Sequence, residues 1–218
     1  MPKSTATSLQ AILFDWDGTL LDSFDADSSA YLAMFRELGI PWGMSELATH
    51  YTPNWHRVYR AARIPRSKYD VADKLWAKHY AHHAPKLVPG ARQVLAWVAR
   101  RYQLGLVTSG DRVRVSRQLR YFGLTRLFAT RVCAGDTPQK KPHPAPLRLA
   151  LKQMCLSPSA CLYVGDSPHD LEMSQRAGVR AIAVIGRFPT EAGLRAAKPE
   201  FLLNSLKELP AVLKSLAG

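Results

Sequence analysis

Short blocks of unbroken apolar residues punctuate this chain, and between them apolar residues recur every three or four positions. The blocks read as β-strands buried on both faces, the spaced pattern as amphipathic helices. The first block, Ala11-Ile12-Leu13-Phe14, precedes a predicted helix over Ser23–Gly39, with Tyr31, Leu32, Phe35 and Leu38 on one face and Gly39 as its stop. From Pro41 to Pro85 the pattern changes. Aromatic, histidine and basic residues dominate, no block suits a central strand, and the stretch reads as a small helical insertion. Val88-Pro89-Gly90 restarts the alternation with a helix over about Ala91–Arg101, the strand Leu104–Thr108 and a helix over about Arg112–Phe122. A short strand near Phe128–Val132, a helix over Pro144–Met154, the strand Cys161–Val164 and a helix around Leu171–Ala177 follow. The strand Ala181–Ile185, a short strand at Phe201–Leu203 and a closing helix complete the chain. Alternation of this kind specifies an α/β fold on a parallel sheet.

With 218 residues and 47% apolar content, the chain is long enough for one well-filled core plus a small accessory unit. No apolar run approaches the roughly 18 residues of a membrane helix, and the first ten residues are polar without the apolar centre of a signal peptide. A soluble, cytoplasmic protein is expected. Cys133, Cys155 and Cys161 are odd in number and lack metal-ligand spacing, which argues against a disulfide framework or zinc site and for small buried or half-buried residues. The net charge of +13 comes from one span: between Arg57 and Arg131 stand 17 Lys/Arg, opposed only by Asp70, Asp73 and Asp111. Such a field draws in anionic substrates. Because the basic residues are spread over several predicted helices with no nucleic-acid module among them, specific nucleic-acid binding is not expected.

Chemistry gathers where the strands end, the edge at which open α/β sheets place their ligands. Phe14 leads straight into Asp15-Trp16-Asp17-Gly18-Thr19. Two carboxylates leave the strand on alternate residues, and the glycine lets the backbone bend sharply or approach a ligand closely. The strand at Leu104 ends in Thr108-Ser109-Gly110 ahead of a helix, a ready anion site that also reads as a plain N-cap. In Gln139-Lys140-Lys141-Pro142-His143-Pro144, the proline confines Lys141 to an extended conformation that can aim its ammonium. The strand at Cys161 ends in Gly165-Asp166-Ser167-Pro168-His169-Asp170, and oxygen-rich carboxylate sets suit a hard Mg²⁺ ion. His79, His82 and His83 stand at helical spacing, but without an accompanying Cys or acid they read as a solvated face.

These four stretches, in this order and spacing, resemble the motifs of the haloacid dehalogenase (HAD) superfamily. The resemblance is strongest to members with a helical cap between the first two motifs, among them phosphoglycolate phosphatases. It covers nearly the whole chain, from Asp15-Trp16-Asp17-Gly18-Thr19 through Val88-Pro89-Gly90, Leu106-Val107-Thr108 and Lys141-Pro142-His143-Pro144 to Gly165-Asp166-Ser167, Asp170 and Ala177-Gly178. It implies a doubly wound, Rossmann-like core over residues 1–23 and 87–218 and a helical cap domain over residues 24–86 that closes over the leaving group. It also implies a Mg²⁺-dependent phosphatase acting on a small anionic phosphate monoester, phosphoglycolate-like or a sugar phosphate. Asp15 would then be the nucleophile that becomes an aspartyl-phosphate, and Asp17 the acid that protonates the leaving oxygen and the base that activates water. The metal would be held by Asp15, Asp166 and the backbone carbonyl of Asp17. Gly18, Thr108, Ser109, Gly110 and Lys141 would hold the other phosphate oxygens. Asp170 and Ser167 would stand one layer out, Asp170 orienting Lys141 or a metal-bound water.

Within the insertion, Thr49-His50-Tyr51-Thr52-Pro53-Asn54-Trp55-His56 reads either as a substrate-facing loop or as an ordinary helix connection. Two positions depart from the family pattern. Trp16 fills the variable site between the aspartates, where it shapes the pocket floor or simply packs, and Ser109 stands where many relatives carry Asn. A β-phosphoglucomutase-like phosphomutase would use the same Asp15 and Asp17 and return the phosphoryl group to a sugar. Dehalogenation suits Asp17 and Gly18-Thr19 less well. A basic binding protein on an inactive scaffold would be expected to lack one of Asp15, Asp17, Thr108, Lys141 or Asp166, and all are present.

Overall fold

The computed structural model of the chain describes residues 8–216; most of the polar N-terminal tail, residues 1–7, lies outside the described residues. Its centre is β1 (Ala11–Phe14), buried at every position. β1 pairs in parallel with β2 (Gln103–Asp111) on one side and β4 (Cys161–Gly165) on the other. β3 (Thr130–Ala134) extends the sheet beyond β2, and β5 (Arg180–Val184) and β6 (Phe201–Leu203) extend it beyond β4, giving the order β3-β2-β1-β4-β5-β6.

Period-two alternation decides which helices cover which face. Ile12 and Phe14 join Leu104, Leu106, Leu162 and Val164 in a cluster under α5 (Ala91–Ala99), α6 (Arg112–Tyr121) and α10 (Leu209–Ser215). Ala11 and Leu13 join Val107, Val132 and Tyr163 against α7 (Ala145–Met154) and α8 (Pro168–Ala177). Each large apolar side chain so buried stabilises the fold by about 1.5–3 kcal/mol. A further short helix, α9 (Glu191–Ala196), follows β5 and has no counterpart in the apolar pattern of the sequence.

Between β1 and α5 lie four helices with a core of their own: α1 (Phe24–Glu37), α2 (Met44–His50), α3 (Trp55–Ala61) and α4 (Tyr69–Tyr80). Tyr31, Met34, Phe35, Val58, Tyr59 and Ala72 pack there, separately from the two clusters on the sheet. The chain enters and leaves this unit along adjacent strands of backbone, with Asp22 N donating to Lys86 O at 2.8 Å and Val88 N to Leu20 O at 2.9 Å.

Four local expectations change. β2 runs on through Thr108-Ser109-Gly110 to Asp111, with a register irregularity against β3 between Val107 and Asp111. The carboxylate of Asp111, not Thr108 or Ser109, caps α6, accepting from Val113 N and Arg114 N at 2.9 and 3.0 Å. Helix α8 starts at Pro168 because Ser167 and Asp170 close a reciprocal capping box. Cys155 is exposed, because it sits in a left-handed conformation ending α7, whereas Cys133 and Cys161 are buried.

Candidate active site

β1 and β4 lie side by side where the strand order reverses, the position at which open α/β sheets form a crevice. Asp15 follows the end of β1 and Asp166 the end of β4, and Asp15 N donates to Val164 O at 2.9 Å. After Asp17 the backbone turns at Gly18 with φ +79°, where a Cβ would stand 2.1 Å from Asp166 Oδ2. Glycine is therefore required for the first loop to press against the second carboxylate. Thr19 Oγ1 completes the junction by donating to Asp166 Oδ1 at 2.9 Å.

Lys141 is buried among three acceptors. Its Nζ lies 3.0 Å from Asp15 Oδ1, and it donates to Asp170 Oδ1 at 2.7 Å and to Tyr163 OH at 2.8 Å. Tyr163 OH in turn donates to the Val107 carbonyl at 2.8 Å. The other oxygen of Asp170 accepts from Ser167 N at 3.1 Å and Ser167 Oγ at 2.6 Å. Thus the ammonium has no freedom to wander, and Asp170 is engaged on both oxygens. Burial would lower the Lys141 pKa, but Asp15 and Asp170 outweigh it and hold it above the ordinary lysine value.

Burial pushes Asp15 up to about 7 against the opposing pull of Lys141, and the nearby Asp170 carboxylate adds to the rise. Burial and Asp15 raise Asp166 in the same direction. Asp15, Asp166 and Asp170 bring oxygens within 4.8 Å of one another. Three carboxylates here share one ammonium, an excess of negative charge that a hard divalent cation with oxygen ligands would balance. With Asp170 engaged twice, Asp15 and Asp166 are the pair with oxygen capacity left for it.

The Asp17 side chain turns away from this cluster to a cation absent from the motif reading. Arg114 Nη1 donates to Asp17 Oδ1 at 2.9 Å and Nη2 to Oδ2 at 2.7 Å, a two-pronged match of planar guanidinium to planar carboxylate. Burial alone would raise Asp17, but Arg114 reverses the sign and holds its carboxyl below the usual range. Gly110 makes room for the pair: a Cβ there would lie 2.5 Å from Arg114 Nη2 and 3.2 Å from Asp17 Oδ2. Tyr80 of α4 reaches the same arginine at 3.4 Å, and Gln118 Nε2 donates to Tyr80 OH at 3.3 Å. Gln118 Oε1 also accepts from Trp16 Nε1 at 2.9 Å. Trp16 is fully buried in the core cluster, so it packs and does not form a pocket floor.

Asp15, Asp17, Asp166, Ser167, Thr108, Ser109 and Gly110 all border one cavity of about 570 Å³ between the sheet edge and the four-helix unit. Gly18 and Lys141 do not line it; they act on its wall through Asp166 and Asp15. Thr108 is buried, and its Oγ1 accepts from Gly110 N at 3.0 Å. Of the loop from Thr49 to His56, Tyr51, Thr52, Pro53 and Trp55 border the cavity, while His50 stacks on Trp42. His79 meets Glu37 at 2.7 Å on the exterior.

Motif reading does not single out Arg114 and Asp27, which border the cavity, or Gln118, Tyr163 and Thr19, which hold Tyr80, Lys141 and Asp166 in place beside it. Thr19 alone had a signal, as the last residue of the first motif. Tyr163 looks like any strand residue until the fold aims its hydroxyl at Lys141, and Arg114 is one of many arginines in a basic chain.

Comparison with known proteins agrees with this geometry. The model of the family described as haloacid dehalogenase-like hydrolase matches residues 12–184, a span containing all four strand-end stretches. Pyrophosphatase PpaX of Bacillus mycoides is 27% identical over 215 residues, covering 96% of this chain and 99% of PpaX. CbbY from Rhodobacter sphaeroides, solved in complex with phosphate, is 27% identical with a TM-score of 0.79, covering 92% of this chain and 96% of CbbY. A protein from Haemophilus somnus, predicted to be a phosphoglycolate phosphatase, shares the fold at 22% identity and a TM-score of 0.81, over 94% of this chain and 98% of its own.

Proposed function

The chain belongs to the haloacid dehalogenase-like hydrolase family and is a hydrolase of phosphate esters, and we propose that it cleaves small monoesters by transferring the phosphoryl group first to Asp15 and then to water. The observation that carries this reading is the buried Asp15 carboxylate, fixed by Lys141 beside Asp166 at the sheet's reversal point. Asp15 Oδ2, the oxygen not facing Lys141, attacks phosphorus while the bond to the leaving oxygen breaks. Asp17, held ionised by Arg114 in this structure, would part from the guanidinium and take up a proton before giving it to the leaving oxygen. Water then attacks the aspartyl-phosphate with Asp17 as base, which returns Asp15 and releases inorganic phosphate. Little covalent work is asked of the protein in such a transfer, and most of it is placement of charge.

Asp15, Asp166 and the backbone carbonyl of Asp17 would hold Mg²⁺, whose chemistry when bound is to neutralise phosphoryl charge as the carboxylate approaches. Thr108, Ser109 and Gly110 border the same cavity and would take phosphate oxygens, while Lys141 orients Asp15 from behind the wall. The helices from α1 to α4 would serve as the cap over the leaving group. The chain has no helix, among the described residues, long and apolar enough to cross a membrane, which suits a freely diffusing substrate.

Phosphate release from p-nitrophenyl phosphate and a panel of monoesters, with and without Mg²⁺, tests the reading. Turnover is expected to require the metal and to fall by at least about 10³-fold in Asp15→Asn. No release from any compound by folded, Mg²⁺-supplied wild type would sink it, and a requirement for a sugar bisphosphate would redirect it to a mutase.

A further inference from the structure

Both sides of the cavity carry more acids than buried cations, but only one of them pairs its acids with cations. On the sheet side the buried cations are already matched: Arg114 by Asp17, Lys141 by Asp15 and Asp170. On the helical side Asp27 of α1 and Asp73 of α4 border the cavity, and among the described residues neither has a cation within 4.0 Å. Asp73 accepts only from Tyr59 OH, at 2.8 Å. The two other cations on the wall, Lys74 and Arg117, are solvent-exposed. Two half-buried carboxylates without a counter-ion are unexpected in a chain of net charge +13.

Around these acids the wall is aromatic, with Tyr31, Tyr51, Trp55, Trp76 and Tyr80 all bordering the cavity. These rings already accept cations from the protein itself. Lys140 Nζ lies 3.5 Å from the centre of the Trp55 ring, and the Arg114 guanidinium stands 5.0 Å from that of Tyr80. Polar groups of the same wall are only loosely engaged: Ser23 Oγ, in a residue 2% exposed, and Trp76 Nε1 are buried without a well-formed hydrogen bond and lean on Asp17 and Asp27 respectively. Burial and the Asp17 charge push the Asp27 carboxyl up to about 8 against the opposing pull of Arg114 and Trp76, so it holds a proton at neutral pH that a cation seated beside it would displace.

We propose that this wall receives a leaving group bearing a positively charged nitrogen, so that the substrate class is the phosphate monoester of an amino alcohol, with a primary or quaternary ammonium seated between Asp27, Asp73 and the aromatic faces. The assignment rests on the phosphatase reading above for its phosphate end. Aromatic faces backed by carboxylates hold ammonium ions through the ring quadrupole and direct charge attraction, and both strengthen as water is excluded. A second anion in the leaving group would instead meet two acids with no free buried cation. A cavity of about 570 Å³ is within the usual range for small-molecule sites.

Phosphocholine and 3,3-dimethylbutyl phosphate share a shape and differ only in charge, carbon replacing nitrogen, which makes them the decisive pair. With Mg²⁺ present, kcat/KM for phosphocholine or phosphoethanolamine is expected to exceed that for the neutral isostere by about tenfold or more, with phosphoglycolate poorer than either. Asp27→Asn and, separately, Asp73→Asn are expected to collapse that ratio, chiefly through KM for the ammonium esters. Equal or better turnover of the neutral isostere or of phosphoglycolate would overturn the assignment. Binding of the same pair to Asp15→Asn in Mg²⁺, read by calorimetry, separates the two readings. Preferential binding of the ammonium ester without turnover by wild type would keep the leaving-group assignment and reject the phosphatase, whereas equal binding rejects the assignment whatever the turnover.

Discussion

The sheet edge and the helical wall face each other across one cavity, yet they treat charge in opposite ways. At the sheet edge Asp17, Asp166, Lys141 and Asp170 each meet a hydrogen-bonding partner, and Asp15 is held between Lys141 and the Trp16 amide. On the helical wall Asp27 and Asp73 stand among faces of Tyr and Trp with no cation within 4.0 Å among the described residues. Preorganised charge is what a reaction centre needs, because dipoles already in place cost nothing to reorient as charge develops. Unmatched charge is what a selecting surface needs, because only the right ligand satisfies it. On the proposed reading, the difference separates where bonds change from where the substrate is chosen.

The largest expected effect follows from removing the cation that holds the paired side together. Lys141→Met keeps length and burial but leaves Asp15 and Asp170 as buried acids without their ammonium. Breaking a buried pair in this way costs about 3–5 kcal/mol, to be read as a lower denaturation midpoint. Turnover should fall by about 10²–10³-fold as well, as for loss of one preorganised donor. A variant as stable and active as wild type would break the contrast between the two walls.

A smaller effect is expected at the second pair. Arg114→Lys retains the charge but cannot make the two parallel bonds to Asp17. We expect kcat to drop by about tenfold or more with KM little changed, since misplacing a general acid–base group forfeits part of its usual 10²–10⁴-fold contribution. A rise in KM with kcat intact would show that Arg114 holds substrate instead of Asp17.

These two pairs also show how far the sequence could be read. Lys141 was legible because a lysine before proline, a strand-end Asp15 and a Gly-Asp turn each carry a local pattern, and the parallel alternation brings them to one edge. The partner of Asp17 and the acids proposed to face the leaving group were not. Arg114 meets Asp17 across 97 residues with no periodicity to announce it, and Gly110, readable as a helix-start glycine, proves to be the gap through which the guanidinium reaches. Asp27 and Asp73 carry no signal of their own, because apolar spacing says which face of a helix is buried but not which polar groups a cavity will leave unpaired. The extension of β2 to Asp111 escaped for a related reason: Ser109 and Gly110 have no apolar pattern, and the strand is held there by β3 rather than by its own residues.

The smallest effect is a pH dependence that tells the two walls apart without any substitution at the sheet edge. Without metal, Asp15 is raised to about 7, so between the unfolded value of about 3.9 and that point the native state keeps a proton that the unfolded chain has released. Its contribution to stability is therefore fully present below about pH 4 and is lost as pH rises through 7. A cation that needs the ionised carboxylate must expel this proton. Mg²⁺ affinity is accordingly expected to rise by at least about tenfold per pH unit below 7, with at least about one proton released per metal at pH 6, because Asp166 is raised in the same direction. Calorimetric titrations in buffers of different ionisation enthalpy would count that proton directly. Asp27, raised to about 8 on the opposite wall, supplies the contrast: if Mg²⁺ sits on Asp15 and Asp166, Asp27→Asn keeps the slope below pH 7. Loss of that slope in Asp27→Asn would move the metal to the helical wall, and an affinity independent of pH in wild type would remove Asp15 from the metal site.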